Sequence, residues 1–528
     1  MANNLLIFPL LIPLVAAVLQ IFGRGNIRFQ RIVGAISMLL CVGVAVVLVG
    51  EVHLHGIQIL PMGGWVAPYG IVFVADMFAA LLVLTSSILG TVCLFYAFAS
   101  IGEEREQHHF YPFFQFLLVG VNGSFLTGDL FNLFVCFEVM LISSYALVVL
   151  GGTKRQLRET LKYILINIVS SSLFVATLAY LYAATGTLNM AQLSQRITEV
   201  GQTGILSVIA LMLLTVFSLK AGLFLFYWLP GPYTAPPTVV TAIFAALLTK
   251  VGLYAIMRTF TLIFYQDMGF VYTLIGWLGI ATMILGVVGA IAYREVNRIL
   301  AFNVVAGVGL IAFGLATANR AGLEGAIFYM LHDMIIKALL FMLAGVMIGA
   351  AGTARLQQMS GLIKRIPLTG WMFFVSALAL AGVPPLSGFV GKLLIVQGGF
   401  ERGWYTLTIL SLVASLVMLY SVMRIFMLGF WGKERPLADD QRHVPDEVYR
   451  EWIAEAGNPS LLPDASENAL DHHWGSFRPQ PLMASASVLF VLVIAIGLGA
   501  GWIQTYIADA ASVLVQPAVY VQAVLGGD

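Results

Sequence analysis

Charge is what this sequence most lacks. Only 10% of its 528 residues are Asp, Glu, Lys or Arg, against about 25% in ordinary soluble proteins, while 60% are hydrophobic. A chain of this length and balance is not a string of soluble domains; it reads as a polytopic membrane protein. Its net charge of +1 offers no general attraction for nucleic acid, which excludes that class of partner. Cysteine is equally scarce. Cys41, Cys93 and Cys136 are the only three, all within apolar runs and without paired spacing, so neither a disulfide frame nor a thiolate metal site is expected. There is no P-loop, dinucleotide fingerprint, metal-ligand cluster or nucleophile triad, and with them go the common signatures of enzymes and cofactor binders. Spaced glycines such as Gly286 and Gly289 read as helix-packing residues.

Long apolar runs are what the chain has in abundance, and each run of about 18 residues or more reads as a spanning helix. Fourteen are predicted, near residues 5–22, 33–51, 72–98, 110–127, 129–150, 163–182, 204–228, 238–264, 270–293, 299–318, 323–349, 367–398, 404–430 and 483–508. The amino terminus carries no basic n-region, so Leu5 to Phe22 is expected to be retained as the first span. Loops after odd-numbered spans hold eighteen Lys and Arg, Arg24, Lys154, Arg294 and Lys364 among them. Loops after even-numbered spans hold Arg196, Arg320 and Arg402, joined by Arg258 at the frayed end of span eight. By the positive-inside rule the odd loops are cytoplasmic and both termini lie outside the cytoplasm. One long polar stretch, Gly432 to Gln480, reads as a cytoplasmic loop and a docking surface for a neighbouring subunit, with a helical turn or two around Asp446 to Ala456. His472 and His473 within it read as solvated, because no cysteine or spaced carboxylate pair accompanies them.

Two spans are interrupted by proline clusters: Trp228-Leu229-Pro230-Gly231-Pro232-Tyr233-Thr234-Ala235-Pro236-Pro237 follows span seven, and Gly382-Val383-Pro384-Pro385-Leu386-Ser387-Gly388 cuts span twelve. They lie five spans apart, an odd number, so two such units would enter the bilayer from opposite sides, as in the inverted repeats of secondary transporters. The expected fold is therefore an all-α polytopic membrane protein with about 14 transmembrane helices, two inverted five-helix repeats and broken helices seven and twelve. Its expected divisions are residues 1–109 with helices one to three, 110–264 as the first repeat, 265–431 as the second, 432–482 as the polar loop, and 483–528 as the last helix and tail.

Against this apolar background the intramembrane charges carry the functional information. Lys220 and Lys250 sit mid-segment in their spans, and a lysine at the centre of a lipid-embedded helix costs roughly 2.5–3.5 kcal/mol even on insertion scales. Glu138 is the only acid between Asp129 and Glu159 and is expected to pair with Lys220 across a helix interface. Neither Lys250 nor Lys392 has an acid within its own segment. Such isolated amines are suited to exchanging protons near neutral pH. Asp333 and Lys337 are spaced for a local i, i+4 pair, and His332 beside them is the natural relay group. Glu138, Lys220, Lys250, His332, Lys337 and Lys392 thus form a candidate proton-translocating row across the middle of the membrane, joined by water. Proton hopping along it needs no covalent catalysis, no metal and no cofactor.

Span five with Glu138, span seven with Lys220, Trp228-Leu229-Pro230, Lys250, the stretch His332-Asp333-Met334-Ile335-Ile336-Lys337-Ala338-Leu339-Leu340-Phe341, and Gly382 to Phe389 with Lys392 together resemble the antiporter-like subunits shared by respiratory complex I and multisubunit cation/proton antiporters. The likeness covers roughly residues 70–430. Within that superfamily the chain is most similar to the D-subunit branch of Mrp-type Na+/H+ antiporters, because Trp228 to Pro237 replaces the acid and histidine that respiratory versions usually place after Trp-Leu-Pro. Val74-Ala75-Asp76-Met77-Phe78 also resembles that branch. The resemblance implies a non-enzymatic subunit of a bacterial inner-membrane complex with several small partner subunits, moving protons and Na+, in which Glu138 and Lys220 are the functional pair and Lys250, His332, Lys337 and Lys392 continue the relay. The alternative is a proton-pumping subunit of a complex-I-type or hydrogenase-type redox complex.

Overall fold

A computed structural model describes residues 4–202, 204–267, 269–432 and 479–526. Eleven helices among them are long and apolar enough to cross a membrane, and shorter apolar helices at Phe110–Leu126, Ile205–Ala221 and Pro367–Ala381 stand where spans four, seven and twelve are predicted. The protein is an all-α, multi-pass membrane protein. In chain order its helices are α1 (Phe8–Phe22), α2 (Ile27–His55), α3 (Met77–Ser100), α4 (Glu103–Gln107), α5 (Phe110–Leu126), α6 (Leu130–Val149), α7 (Lys154–Thr185), α8 (Met190–Val200), α9 (Ile205–Ala221), α10 (Thr238–Leu262), α11 (Phe270–Ala292), α12 (Val296–Ala316), α13 (Arg320–Ala351), α14 (Pro367–Ala381), α15 (Ser387–Glu401), α16 (Tyr405–Ile425), α17 (Pro479–Leu498), α18 (Ala500–Val515) and α19 (Pro517–Leu525).

Local chemistry sets the helix ends. Asn26, Asp76, Asp129 and Asn319 each accept a backbone N–H from the first turn of the helix that follows, and Thr153 with Gln156 closes a reciprocal capping box at the start of α7, satisfying donors that a helix start leaves open. The centre of the bundle is built from α10, α12 and α13, which are buried on nearly all sides, while α1, α2, α7 and α16 leave apolar faces outward as lipid-facing helices do. Such all-round burial of apolar helices makes any ionised group on the central three depend on protein partners.

Several predicted boundaries move, for identifiable reasons. Residues Val72–Ala75 do not begin span three; they form strand β2, antiparallel to β1 (Gln58–Pro61) with Gln58 opposite Ala75 and Pro61 opposite Val72, and the helix starts only after the Asp76 cap. Span seven ends at Ala221, before the proline cluster, because Gly222 adopts a left-handed conformation at φ 74°. Lys220 therefore occupies the last turn of α9 rather than the middle of a span. The last predicted span, 483–508, is interrupted at Gly499, and α18 and α19 are bent by 81° relative to each other. Arg258 is no loop residue: it is buried inside α10 and ion-paired with Asp76, so it drops out of the outward charge count. Residues 433–478 of the polar loop, with the expected helical turns around Asp446 and the His472-His473 pair, lie outside the described residues, and the loop's last residues, from Pro479 on, already belong to α17.

Candidate functional site

The sequence-predicted site residues fall in three polar clusters within the apolar interior. In the first, Glu138 projects from α6 and Lys220 from the end of α9, with Nζ 4.0 Å from the Glu138 Oε1. Ser171 of α7 stands between them: its hydroxyl donates to Glu138 Oε1 and accepts from Lys220 Nζ at 3.2 Å. The lysine is sealed, with 2% of its side chain exposed against 31% for the acid, and its ammonium lies 5.1 Å from the ring centre of Phe137. The acid is thus the more exposed member of the pair. Beyond Gly222 the chain leaves the helix, and side chains replace the lost helical bonds. Trp228 Nε1 donates to the Leu219 carbonyl at 2.9 Å, Phe224 N–H donates to Thr282 Oγ1 at 2.7 Å, and Gln156 Nε2 donates to the Ala235 carbonyl at 3.3 Å. Irregular backbone at membrane depth needs such partners.

The second cluster joins three helices. Lys250 of α10 lies 2.7 Å from Asp333 Oδ2, and Lys337, one turn beyond Asp333 on α13, lies 3.5 Å from its Oδ1. All three side chains are at most 1% exposed. Each lysine also donates to a carbonyl, Lys250 to Ala245 at 2.8 Å and Lys337 to Asn303 of α12 at 2.9 Å. Two expectations change here. Lys250 is not partnerless, because α13 supplies its counter-ion, and the Asp333–Lys337 pair is not self-contained, because the nearer partner of the acid is Lys250.

In the third cluster His332 Nδ1 is 2.8 Å from the Ser387 hydroxyl at the start of α15, while its Nε2 has no hydrogen-bond partner among the described residues. Lys392 of α15 donates to the carbonyl of Ala381, at 2.9 Å, where α14 breaks off. Its ammonium is 5.8 Å from the centre of the Tyr329 ring. Gly382, left-handed at φ 85°, forms that break. A Cβ on Gly388 would come within 2.9 Å of His332 Nε2, so the glycine leaves the imidazole its space.

The geometry thus places all six sequence-predicted residues in buried or half-buried intramembrane clusters, Glu138 with Lys220, Lys250 with Lys337, and His332 beside the α15 start that carries Lys392. Ser171 and the pairing of Asp333 with Lys250 are additions. A run of three serines, Ser170 to Ser172, in the apolar stretch that follows Lys162 on α7 is the available signal for the first. Among the described residues no group of three or more His, Cys, Asp or Glu is placed to hold a metal ion. What the clusters offer is a series of ionisable side chains held in place by hydroxyls and carbonyls.

Residues 127–418 match the family model described as NADH:quinone oxidoreductase/Mrp antiporter, TM. The chain belongs to this family. It is 49% identical over 524 residues to the D-subunit of the Na(+)/H(+) antiporter of Bacillus subtilis strain 168, with 99% of each chain covered. Among solved structures it superposes with a TM-score of 0.87 and 30% identity on a chain of the Mrp complex from Dietzia sp. DQ12-45-1b, covering 99% of this chain and 100% of that one. A chain of the membrane-bound sulfane sulfur reductase, an archaeal respiratory membrane complex, gives a TM-score of 0.85 at 26% identity, covering 99% and 100%. Of these three, the two antiporter chains are the more similar in sequence, and the respiratory one shares the fold.

Proposed function

We propose that this chain is a proton-translocating subunit of a multisubunit Na+/H+ antiporter, a transporter component in which protons move through buried Glu, Lys and His side chains. Full-length identity to the D-subunit of a Na(+)/H(+) antiporter carries this reading. The site geometry supports a route through Glu138, Lys220, Lys250, His332, Lys337 and Lys392. Glu138 is the more accessible member of its pair and takes or gives a proton at one side, and the charge left on Lys220 alters its neighbours through low-dielectric coupling. The proton gradient then drives Na+ outward. The division into two inverted units, 110–264 and 265–431, is supported by matching helix breaks, each opening on a left-handed glycine, Gly222 and Gly382. Each break also has a lysine beside it, Lys220 or Lys392. An orientation in a bacterial inner membrane with both termini outside the cytoplasm is supported by the loop cations.

A second reading, a proton-pumping subunit of a redox complex, draws on the archaeal respiratory neighbour. Purifying the native assembly separates the two. The antiporter reading expects Na+-dependent proton movement in vesicles and no redox centre co-purifying; redox-linked proton uptake with a co-purified centre would replace it by the second.

A further inference from the structure

Asp333 is the acid that the predicted relay omitted, and its surroundings give it more than a structural role. Its carboxylate reaches two amines from different helices, Lys250 at 2.7 Å on one oxygen and Lys337 at 3.5 Å on the other. The unequal distances put it on Lys250 in this structure with Lys337 within a short swing. Both amines hold a second partner that does not depend on Asp333, the carbonyls of Ala245 and Asn303. Either can therefore part from the carboxylate and keep its hydrogen bond to a carbonyl. Room for the swing comes from α12: a Cβ on Gly307 would lie 2.8 and 2.9 Å from the two carboxylate oxygens.

We propose that Asp333 is a two-position counter-ion that alternates between Lys250 and Lys337 and thereby decides which of the two amines holds a single shared proton. The inference rests on the antiporter reading and deepens it at one step. Charge balance limits the number of protons: with one carboxylate and one ammonium the buried triad is neutral, whereas two ammoniums would leave a net positive charge far from water, which is strongly disfavoured. In the hand-over an N–H bond on Lys250 breaks as one forms on Lys337, and the carboxylate follows the charge without itself taking the proton. Because α10 lies in the first proposed unit and α13 in the second, this exchange is the junction between the two halves of the route.

The test uses the complete antiporter complex, purified and reconstituted in vesicles carrying an internal pH dye, with Na+-driven proton movement as the transport readout. Infrared difference spectra between resting and Na+-driven states are recorded for wild type and Asp333→Asn. Inactive wild-type vesicles would sink the antiporter reading itself, whatever the variants do. With an active wild type, Asp333→Asn is expected to assemble and transport at below a tenth of the wild-type rate, and Gly307→Ala to assemble and transport at least fivefold more slowly. The wild-type spectrum is expected to hold an ionised-carboxylate band that shifts during turnover and is missing from Asp333→Asn. A protonated-carboxyl band assigned to Asp333 would overturn the proposal, since the acid would then carry the proton. No Asp333-dependent band shift would overturn it too, the carboxylate being fixed. Should Asp333→Asn fail to assemble, Gly307→Ala decides, and wild-type transport by that variant counts against the swing.

Discussion

Arg258 grips Asp76 with both terminal nitrogens, Nη1 at 2.7 Å from Oδ2 and Nη2 at 2.8 Å from Oδ1. Around the guanidinium stand the rings of Phe78, Tyr254 and Tyr520, with centres 5.7, 5.3 and 5.1 Å from Cζ. This buried pair differs in kind from the lysine clusters. Both acid oxygens are engaged by one planar partner that stays charged, and Tyr520 brings the carboxy-terminal α19 onto the same spot.

A locked pair of this sort holds helices together and relays nothing. Removing one member leaves the other as an uncompensated buried charge, at about 3–5 kcal/mol. Arg258→Leu and Asp76→Asn are therefore expected to lower the amount of folded, assembled complex seen on native gels and its thermal midpoint. The small fraction that does assemble should keep its Na+ exchange rate per complex. Normal assembly together with lost transport would move this pair into the proton route.

Glu138 and Lys220 should behave in the opposite way. Ser171 and the rings around the pair already fill the site, and the 4.0 Å separation is too long for a tight contact that packing depends on. Glu138→Ala and Lys220→Ala are expected to assemble at near wild-type levels and to abolish Na+-dependent proton movement in vesicles. If both variants instead lost assembly, the pair would be a packing device and the chain a membrane scaffold.

Ser171 supplies the bond that the pair lacks directly. Its hydroxyl accepts from the amine and donates to the acid, so a proton can pass across it: an N–H bond on Lys220 breaks as an O–H bond forms on Ser171, and the serine's original O–H bond breaks as one forms on Glu138. Ser171→Ala removes the bridge and leaves the misaligned gap, with an expected fall in transport on the order of tenfold or more, while Ser171→Thr keeps the hydroxyl and should recover most of the rate. Equal rates for the two variants would leave the hydroxyl without a role.

What the sequence made legible, and what it hid, divides along one physical line. Features carried by a single segment were readable. An apolar run of spanning length, a proline cluster inside it, and a lysine with no nearby acid each state an energetic problem within about twenty residues. Solutions supplied from another helix were readable only where a lone acid and a lone lysine left one pairing, as for Glu138 and Lys220. Asp333 looked satisfied by Lys337 one turn away, and only the packing of α13 against α10 shows that Lys250 is closer. Arg258 looked like a helix end because it lies near one, and its partner Asp76 is distant in sequence. The strand at Val72–Ala75 was hidden for a further reason: a short apolar strand feeding an apolar helix has no break in hydropathy, and only the Asp76 cap marks the change.

Lys392 lets relay and structural roles be separated by one conservative change. Its ammonium donates to the Ala381 carbonyl at the helix break, a group that would otherwise lack a partner at membrane depth. A purely structural donor could be replaced by arginine, which has donors to spare. A relay could not, because a guanidinium holds its proton through the whole working pH range. Lys392→Arg is thus expected to assemble normally and to lose antiport by on the order of a hundredfold, measured as Na+-driven proton movement in vesicles, and Lys392→Ala to lose it as fully. Transport by Lys392→Arg at more than half the wild-type rate would take Lys392 out of the proton route and leave it as the support of the second break, with the route ending at His332 or Lys337.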